Sequence, residues 1–72
     1  MSFPSYRQLR VPQVAAGMRL DRFLARWFKN RSRSELVKGI RAGQVLNDTE
    51  KALRPSTVLR AGDQLRIYIP GI

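Results

Sequence analysis

The side chains with the clearest chemical character in this sequence are cations, concentrated between residues 19 and 41. Eleven of the fourteen basic residues are arginines. The guanidinium group is a planar fork of donors that suits phosphate oxygens and stacks on bases. Candidate ligand-binding side chains along this stretch are Arg19, Arg22, Arg26, Lys29, Arg31, Ser32, Arg33, Ser34, Lys38 and Arg41. These residue types predict the binding of a polyanion.

Catalytic chemistry is not indicated by the remaining side chains. The sequence has no histidine and no cysteine, and its five carboxylates lie in first helical turns or in loops. General acid–base or nucleophilic catalysis needs groups that titrate or attack near neutral pH. We therefore expect no catalysis by this chain alone, no zinc or other metal site, and no cofactor.

The first element that positions the cations is a predicted helix. Its apolar residues have the spacing of one helix face and are Leu20, Phe23, Leu24, Trp27 and Phe28. Its cations lie on the opposite face and are Arg19, Arg22, Arg26 and Lys29. We expect the apolar face, including Trp27, to be buried and the cations to stay in water. Taken alone, the basic face fits a solvated surface about as well as a binding surface.

A second helix is predicted to begin at a capping box formed by Ser32 and Glu35. An apolar stripe follows, formed by Leu36, Val37 and Ile40. Gly43 is expected to end the helix in the left-handed conformation. The turn at residues 29–34 holds three cations, two hydroxyls and one amide, all of which can donate to phosphate. Ser32 is expected to cap the helix, which leaves Ser34 freer to contact a ligand.

Strands are predicted on both sides of the helix pair. Apolar and polar residues alternate over residues 7–11 and 64–69, and residues 44–47 form a third candidate strand. Residues 52–59 contain Pro55, which predicts an edge strand or a broken one. Residues 1–6 are expected to be a frayed lead-in, and Pro70 is expected to end the last strand. The predicted fold class is α+β, with two helices packed on a small, mainly antiparallel sheet.

The charge balance favours a nucleic acid as the partner. The chain has 72 residues, a formal net charge of +9 and a pI near 11.6. An anionic membrane surface is the second candidate, because basic amphipathic helices also bind lipid. No segment approaches the roughly 20 apolar residues of a membrane span. The N-terminus lacks the apolar run of a signal peptide, so the default expectation is a cytoplasmic location. We also expect a monomer.

Several short motifs occur in the order and spacing of a known RNA-binding module. They are residues 19–24 (RLDRFL), 32–34 (SRS), 40–45 (IRAGQV), 55–56 (PS) and 62–63 (GD). Together they resemble the S4 domain, named after ribosomal protein S4, over about 50 residues. The resemblance implies the αL-motif fold and a binding face formed by Arg19, Arg22, Ser32, Arg33, Ser34, Lys38, Arg41 and Gln44. We add Arg26, Lys29 and Arg31 to that face because of their charge and their predicted position around the helix or in the turn.

Residues near the N-terminus resemble one particular group of proteins that contain an S4 domain. Residues 9–12 (LRVP) and 16–24 (AGMRLDRFL) resemble the N-terminus of Rlu-type pseudouridine synthases, in which an S4 domain precedes a catalytic domain. The resemblance implies a lead-in and first strand at 1–18, an RNA-binding domain at 19–72, and a covalently linked catalytic domain in the parent protein. The implied partner is structured RNA, with ribosomal RNA first and transfer RNA second. Asp21 is expected to belong to the helix and not to catalysis.

One loop departs from the family pattern. Where the family has Val-x-Val-Asn-Gly, residues 45–49 read VLNDT. The acids Asp48 and Glu50 would repel phosphate, so this loop is left out of the predicted binding face. Arg54, Arg60 and Arg66 are interpreted as solubility charges.

Other functions remain open at this stage. One is a stand-alone ribosome-associated RNA-binding protein of the heat-shock type, and another is a DNA-binding helix-turn-helix module. Helix-turn-helix proteins usually dimerise on two half-sites, and nothing in the sequence indicates a dimer surface. Binding to a membrane would require Trp27 to insert into lipid.

Overall fold

The two predicted helices and three of the predicted strands are present. The structure is a computed structural model that describes residues 6–69, so the predictions for residues 1–5 and for Pro70 lie outside the described residues. The elements in chain order are β1 (Arg7–Arg10), a 3-10 turn (Gln13–Ala15), α1 (Leu20–Trp27), α2 (Arg33–Arg41), β2 (Val45–Leu46) and β3 (Gln64–Ile67). This confirms the predicted α+β class.

The sheet is antiparallel, with strand order β1-β3-β2. Leu9 pairs with Leu65, and Val45 pairs with Ile67. Because side chains alternate along a strand, Leu65 and Ile67 face the helices and are buried. The same alternation turns the polar side chains of β3 to the opposite, solvent-facing side of the sheet.

The segment at residues 52–59 is the broken strand that its proline predicted. In the described part of the chain it forms only isolated bridges, Ala52 with Leu46 and Val58 with Arg19. Its carbonyls instead satisfy the start of α1. The Leu20 N–H donates to the Thr57 carbonyl at 2.8 Å, and the Asp21 N–H donates to the Pro55 carbonyl at 3.1 Å. A proline serves here because its carbonyl is used and no N–H is required.

The core lies between the helix pair and the sheet. Its members without solvent access are Leu20, Leu24, Leu36, Val45 and Ile67. Trp27 was predicted to be buried with them, and this is wrong, because 51% of the residue is exposed. Periodicity shows that Trp27 shares a helix face with Leu20 and Phe23, but not which part of that face the rest of the chain covers. Trp27 lies beside the 3-10 turn, where it packs on Phe23 and lines an open groove.

The start of α2 has the predicted capping box. The Ser32 hydroxyl accepts from the Glu35 N–H at 3.2 Å, and the Glu35 carboxylate accepts from the Ser32 N–H at 3.1 Å. Past the other end, Gly43 has φ of 80°, in the left-handed region that favours glycine.

Replacing Ser32 with alanine is expected to lower the free energy of unfolding by about 1 kcal/mol, because a helix N–H loses its acceptor. Urea unfolding with an unchanged m-value would measure the loss. Ser34→Ala is the matched control, since Ser34 is an exposed serine at the second residue of the same helix. An equal loss in both variants would show that the cap hydrogen bond is not the source.

Candidate RNA-binding surface

The predicted binding side chains lie mostly at exposed positions of the helix pair and its turn. Of the eleven, nine are exposed, and Arg31 and Gln44 are half-buried. The residues on the two helices and their N-caps form what we call the helix-pair surface: Arg19, Arg22, Arg26, Ser32, Arg33, Ser34, Lys38 and Arg41. The packing of α1 against α2 brings Arg19 and Arg33 together on one carboxylate, that of Asp21.

An open groove between the helices collects side chains from both. Arg33, Ser34, Lys38 and Arg41 of α2 line it together with Asp21 of α1. A second, smaller depression lies at the start of α1 and is lined by Gly17, Met18, Arg19 and Arg22. Cations therefore surround concave features on this side of the molecule, as a surface for a phosphate backbone requires.

Asp21 is the buried charged residue of the described chain, with 3% exposure. Its Oδ2 accepts from Arg19 Nη2 and from Arg33 Nη2, both at 3.2 Å. Its Oδ1 accepts from the Arg22 N–H at 2.8 Å and from Arg19 Nε at 3.2 Å. One carboxylate thus joins the first turn of α1 to the first turn of α2, and it orients two arginines of the helix-pair surface.

The protonation of Asp21 follows from these contacts. Burial alone raises its pKa by desolvating the carboxylate, but the hydrogen bonds from Arg33 and Arg22 and the charges of Arg19 and Arg33 outweigh that effect. The pKa of Asp21 therefore lies below its ordinary value of 3.8. The carboxylate is ionised at neutral pH and holds both guanidinium groups.

The carboxylate of Glu35 is engaged by neighbouring residues at the start of α2. Hydrogen bonding from the backbone and side chain of Ser32, followed by the Arg31 guanidinium, lowers the pKa of Glu35. Arg31 Nη1 lies 3.3 Å from Glu35 Oε2. Arg31 is therefore committed to this pair, which gives it a structural contact in addition to its predicted binding role.

One predicted position is not placed as expected. Lys29 was assigned to the cationic face of the first helix, but α1 ends at Trp27 and Lys29 lies in the turn that follows. Gln44 lies at the exit of α2 and is half-buried, and its carbonyl accepts from the Tyr68 N–H at 2.7 Å. We leave Lys29, Arg31 and Gln44 as peripheral candidates outside the helix-pair surface.

Sequence reasoning missed the role of Asp21. The sequence placed Asp21 in the first turn of a helix and gave it no partner, because periodicity does not show contacts between residues twelve positions apart. The available signal was an acid flanked by arginines at the start of a helix, followed by another arginine at the start of the next helix.

The acidic loop lies away from the helix-pair surface. Glu50 pairs with Arg66 of β3, with Oε1 and Nη1 3.2 Å apart. Arg66 is on the solvent-facing side of the sheet, because its neighbours Leu65 and Ile67 face the core.

Glu50 has φ of 63°, a left-handed conformation in the loop where the family pattern has glycine. Asn47 Oδ1 organises the same loop by accepting from the N–H groups of Thr49 and Lys51.

Residues 6–69 contain neither a metal-ion site nor a membrane-spanning helix. No group of three or more His, Cys, Asp or Glu side chains in that range could hold a metal ion. Neither helix of the described chain is long and apolar enough to cross a membrane.

Comparison with known proteins gives one family match and two similar proteins. The family model described as "S4 domain" matches residues 18–65. The chain is similar to ribosomal large subunit pseudouridine synthase D of Xanthomonas campestris pv. campestris, at 43% identity over 65 residues, which is 90% of this chain and 19% of that protein. It is also similar to an uncharacterized RNA pseudouridine synthase of Aquifex aeolicus, at 38% identity over 52 residues, covering 72% of this chain and 16% of that protein. The chain thus spans less than one-fifth of the length of these relatives.

Proposed function

The chain belongs to the S4 domain family, and on that premise we propose that it docks folded RNA through the helix-pair surface. The observation that carries the proposal is the charge on this surface. In the described part of the chain, no acid forms an ion pair with Arg22, Arg26, Lys38 or Arg41. These cations are exposed, so they are free to neutralise phosphates.

The mode of recognition follows from the chemistry of the surface. Arginine and lysine side chains, a free serine hydroxyl and the start of α2 are all donors to phosphate oxygens. The major groove of an RNA duplex is too deep and narrow for side chains to read. We therefore propose recognition of RNA by its shape and backbone, with ribosomal RNA as the first candidate and transfer RNA as the second.

The role in a longer protein is a second part of the proposal. Both relatives are named as pseudouridine synthases, and this chain matches only a small part of each. We propose that the domain holds the RNA while a linked catalytic domain converts uridine to pseudouridine. The chain itself supplies docking and no catalytic group.

RNA binding is expected to weaken steeply with salt. If about six cations reach phosphates, the slope of log K against log salt should be about −4 to −5. The measurement is a titration of the chain with a ribosomal RNA hairpin at several salt concentrations, followed by NMR amide shifts. Shifts should cluster on residues 19–26 and 32–41 and fade as salt rises.

Two outcomes would count against docking through this surface. One is a flat salt response, and the other is a set of shifts confined to β1 and β3. A duplex DNA of the same length serves as the competitor, because a helix-turn-helix function predicts that DNA displaces the RNA. Anionic lipid vesicles test the membrane alternative in the same way.

A further inference from the structure

We propose that a groove beside the helix-pair surface accepts one unpaired RNA base, which stacks on Trp27. This inference rests on the proposed function, since it specifies which feature of the RNA the domain selects. The groove is formed by the C-terminal half of α1 and the 3-10 turn, and the side chains that matter are Val14, Met18, Phe23, Arg26 and Trp27.

The groove exposes apolar surface that the fold itself does not cover. Trp27 is 51% exposed and Val14 is 90% exposed. The ring centroids of Trp27 and Phe23 are 5.6 Å apart, so the indole is supported on its inner side by a buried ring. A supported, half-exposed indole is a rigid platform, and aromatic rings of this kind bind bases through their faces.

The groove is continuous with the cations that are proposed to hold the RNA backbone. Arg26 belongs to the helix-pair surface and also lines the groove. Met18 lines both the groove and the depression that contains Arg19 and Arg22. A backbone lying on these arginines therefore runs along the edge of the groove, and a base that is not paired can turn into it.

The chemistry of the groove favours a base over a protein segment. Its only charged lining residue is Arg26, a cation, so the groove complements a ligand that carries an anionic backbone. Its volume of about 260 Å³ is below the roughly 300–1,000 Å³ of ordinary small-molecule pockets and suits a single planar group. Positive charge next to exposed aromatic rings is the combination that single-stranded nucleic-acid sites use.

The test compares two RNA hairpins that differ only by one bulged nucleotide in the stem. Trp27 is the single tryptophan of the chain, so its fluorescence reports on the groove directly. Because the loop is the same in both hairpins, the bulged hairpin should quench the emission more than the hairpin with the fully paired stem does. Trp27→Leu should weaken binding of the bulged hairpin by about 5- to 100-fold while changing binding of the paired hairpin less than about twofold.

A matched control is available on the solvent-facing side of the sheet. Tyr6 is 50% exposed, and its ring centroid lies 5.1 Å from that of Tyr68. Tyr6→Leu therefore removes a similarly exposed and similarly supported ring without changing the net charge. It should leave binding of both hairpins unchanged.

A second variant keeps the test decisive if Trp27→Leu does not fold. Val14→Asp places a carboxylate in the groove at a residue that packs little against the core. Because any added acid weakens RNA binding generally, the readout is the ratio of the two affinities. That ratio should fall for Val14→Asp by at least about fivefold.

Three results would overturn the proposal. The first is an unchanged affinity ratio in the folded groove variants, and the second is the absence of extra quenching by the bulged hairpin. The third is a concentration-dependent dimer in sedimentation that Trp27→Leu abolishes, which would make the groove a self-association face. Failure of the proposed function itself looks different, since neither hairpin would then bind the wild-type chain.

Discussion

Replacing Asp21 with asparagine is expected to lower the free energy of unfolding by about 1–3 kcal/mol at neutral pH. The new amide keeps the size of the side chain but can place an N–H₂ group against the guanidinium groups of Arg19 and Arg33. Two charge-assisted hydrogen bonds of 3.2 Å are then lost or replaced by donor–donor contacts. The loss stays moderate because both arginines are more than half exposed and can turn to water.

The control for this prediction is Glu50→Gln. Glu50 also forms an ion pair of 3.2 Å, with Arg66, but its side chain is 74% exposed. Exposed pairs contribute little, so this variant should change the free energy of unfolding by less than about 0.5 kcal/mol. Urea unfolding of both variants compares the same chemical change at a buried and an exposed site. Equal effects would show that Asp21 does not act as a link between the helices.

The difference between wild type and Asp21→Asn should depend on pH in a defined direction. The folded state holds the pKa of Asp21 below the ordinary value of 3.8, so the folded state favours the ionised form. This contribution is fully present above the ordinary pKa and is lost as the pH falls through the lower pKa of the folded state. The stabilities of the two proteins should therefore differ most above about pH 4 and approach each other as the pH falls below that value. Curves that converge at high pH instead would contradict the assignment.

The sequence is sufficient for the elements that depend on local signals. The capping box at Ser32, the left-handed residue at Gly43 and the alternation over residues 64–69 each specify a backbone conformation within a few residues. All three are present in the structure, although the strand itself covers only Gln64–Ile67. The motif series at residues 19–63 added the fold family, which periodicity alone does not provide.

The errors come from interactions along the helix axis and between distant residues. Trp27 was placed by its angle around α1, which does not show that this part of the apolar face borders an open groove. Lys29 was placed on α1, but the helix ends at Trp27. Asp21 finds Arg33 across the helix pair because Pro55 and Thr57 fix the start of α1. The position of that start depends on a segment more than thirty residues away. The contact between Asp21 and Arg33 therefore cannot be predicted from local sequence patterns.

Removing four cations from the helix-pair surface is expected to have the largest effect on function. The variant changes Arg22, Arg26, Lys38 and Arg41 to glutamine and lowers the formal charge of +9 by four. None of the four has an ion-pair partner within residues 6–69, and glutamine is a good helix former, so the fold should persist. Each phosphate contact changes the salt slope by about 0.7–0.9, which corresponds to about five- to eightfold in affinity between 0.1 M and 1 M salt. We therefore expect RNA affinity near 0.1 M salt to fall by about 10³-fold and the slope to flatten by about 3.

The control variant removes the same charge from other parts of the chain. Arg10, Lys51, Arg54 and Arg60 are exposed, lie outside the helix-pair surface, and are changed to glutamine together. Electrophoretic or fluorescence titration of both variants with one RNA hairpin separates the effect of net charge from that of direct phosphate contacts. Net charge attracts RNA at long range, whereas a phosphate contact depends on the position of the cation. The control should lose less than about tenfold and keep a slope within about 1 of wild type. Equal losses in the two variants would mean that the whole basic molecule attracts RNA and that α1 and α2 provide no defined docking surface.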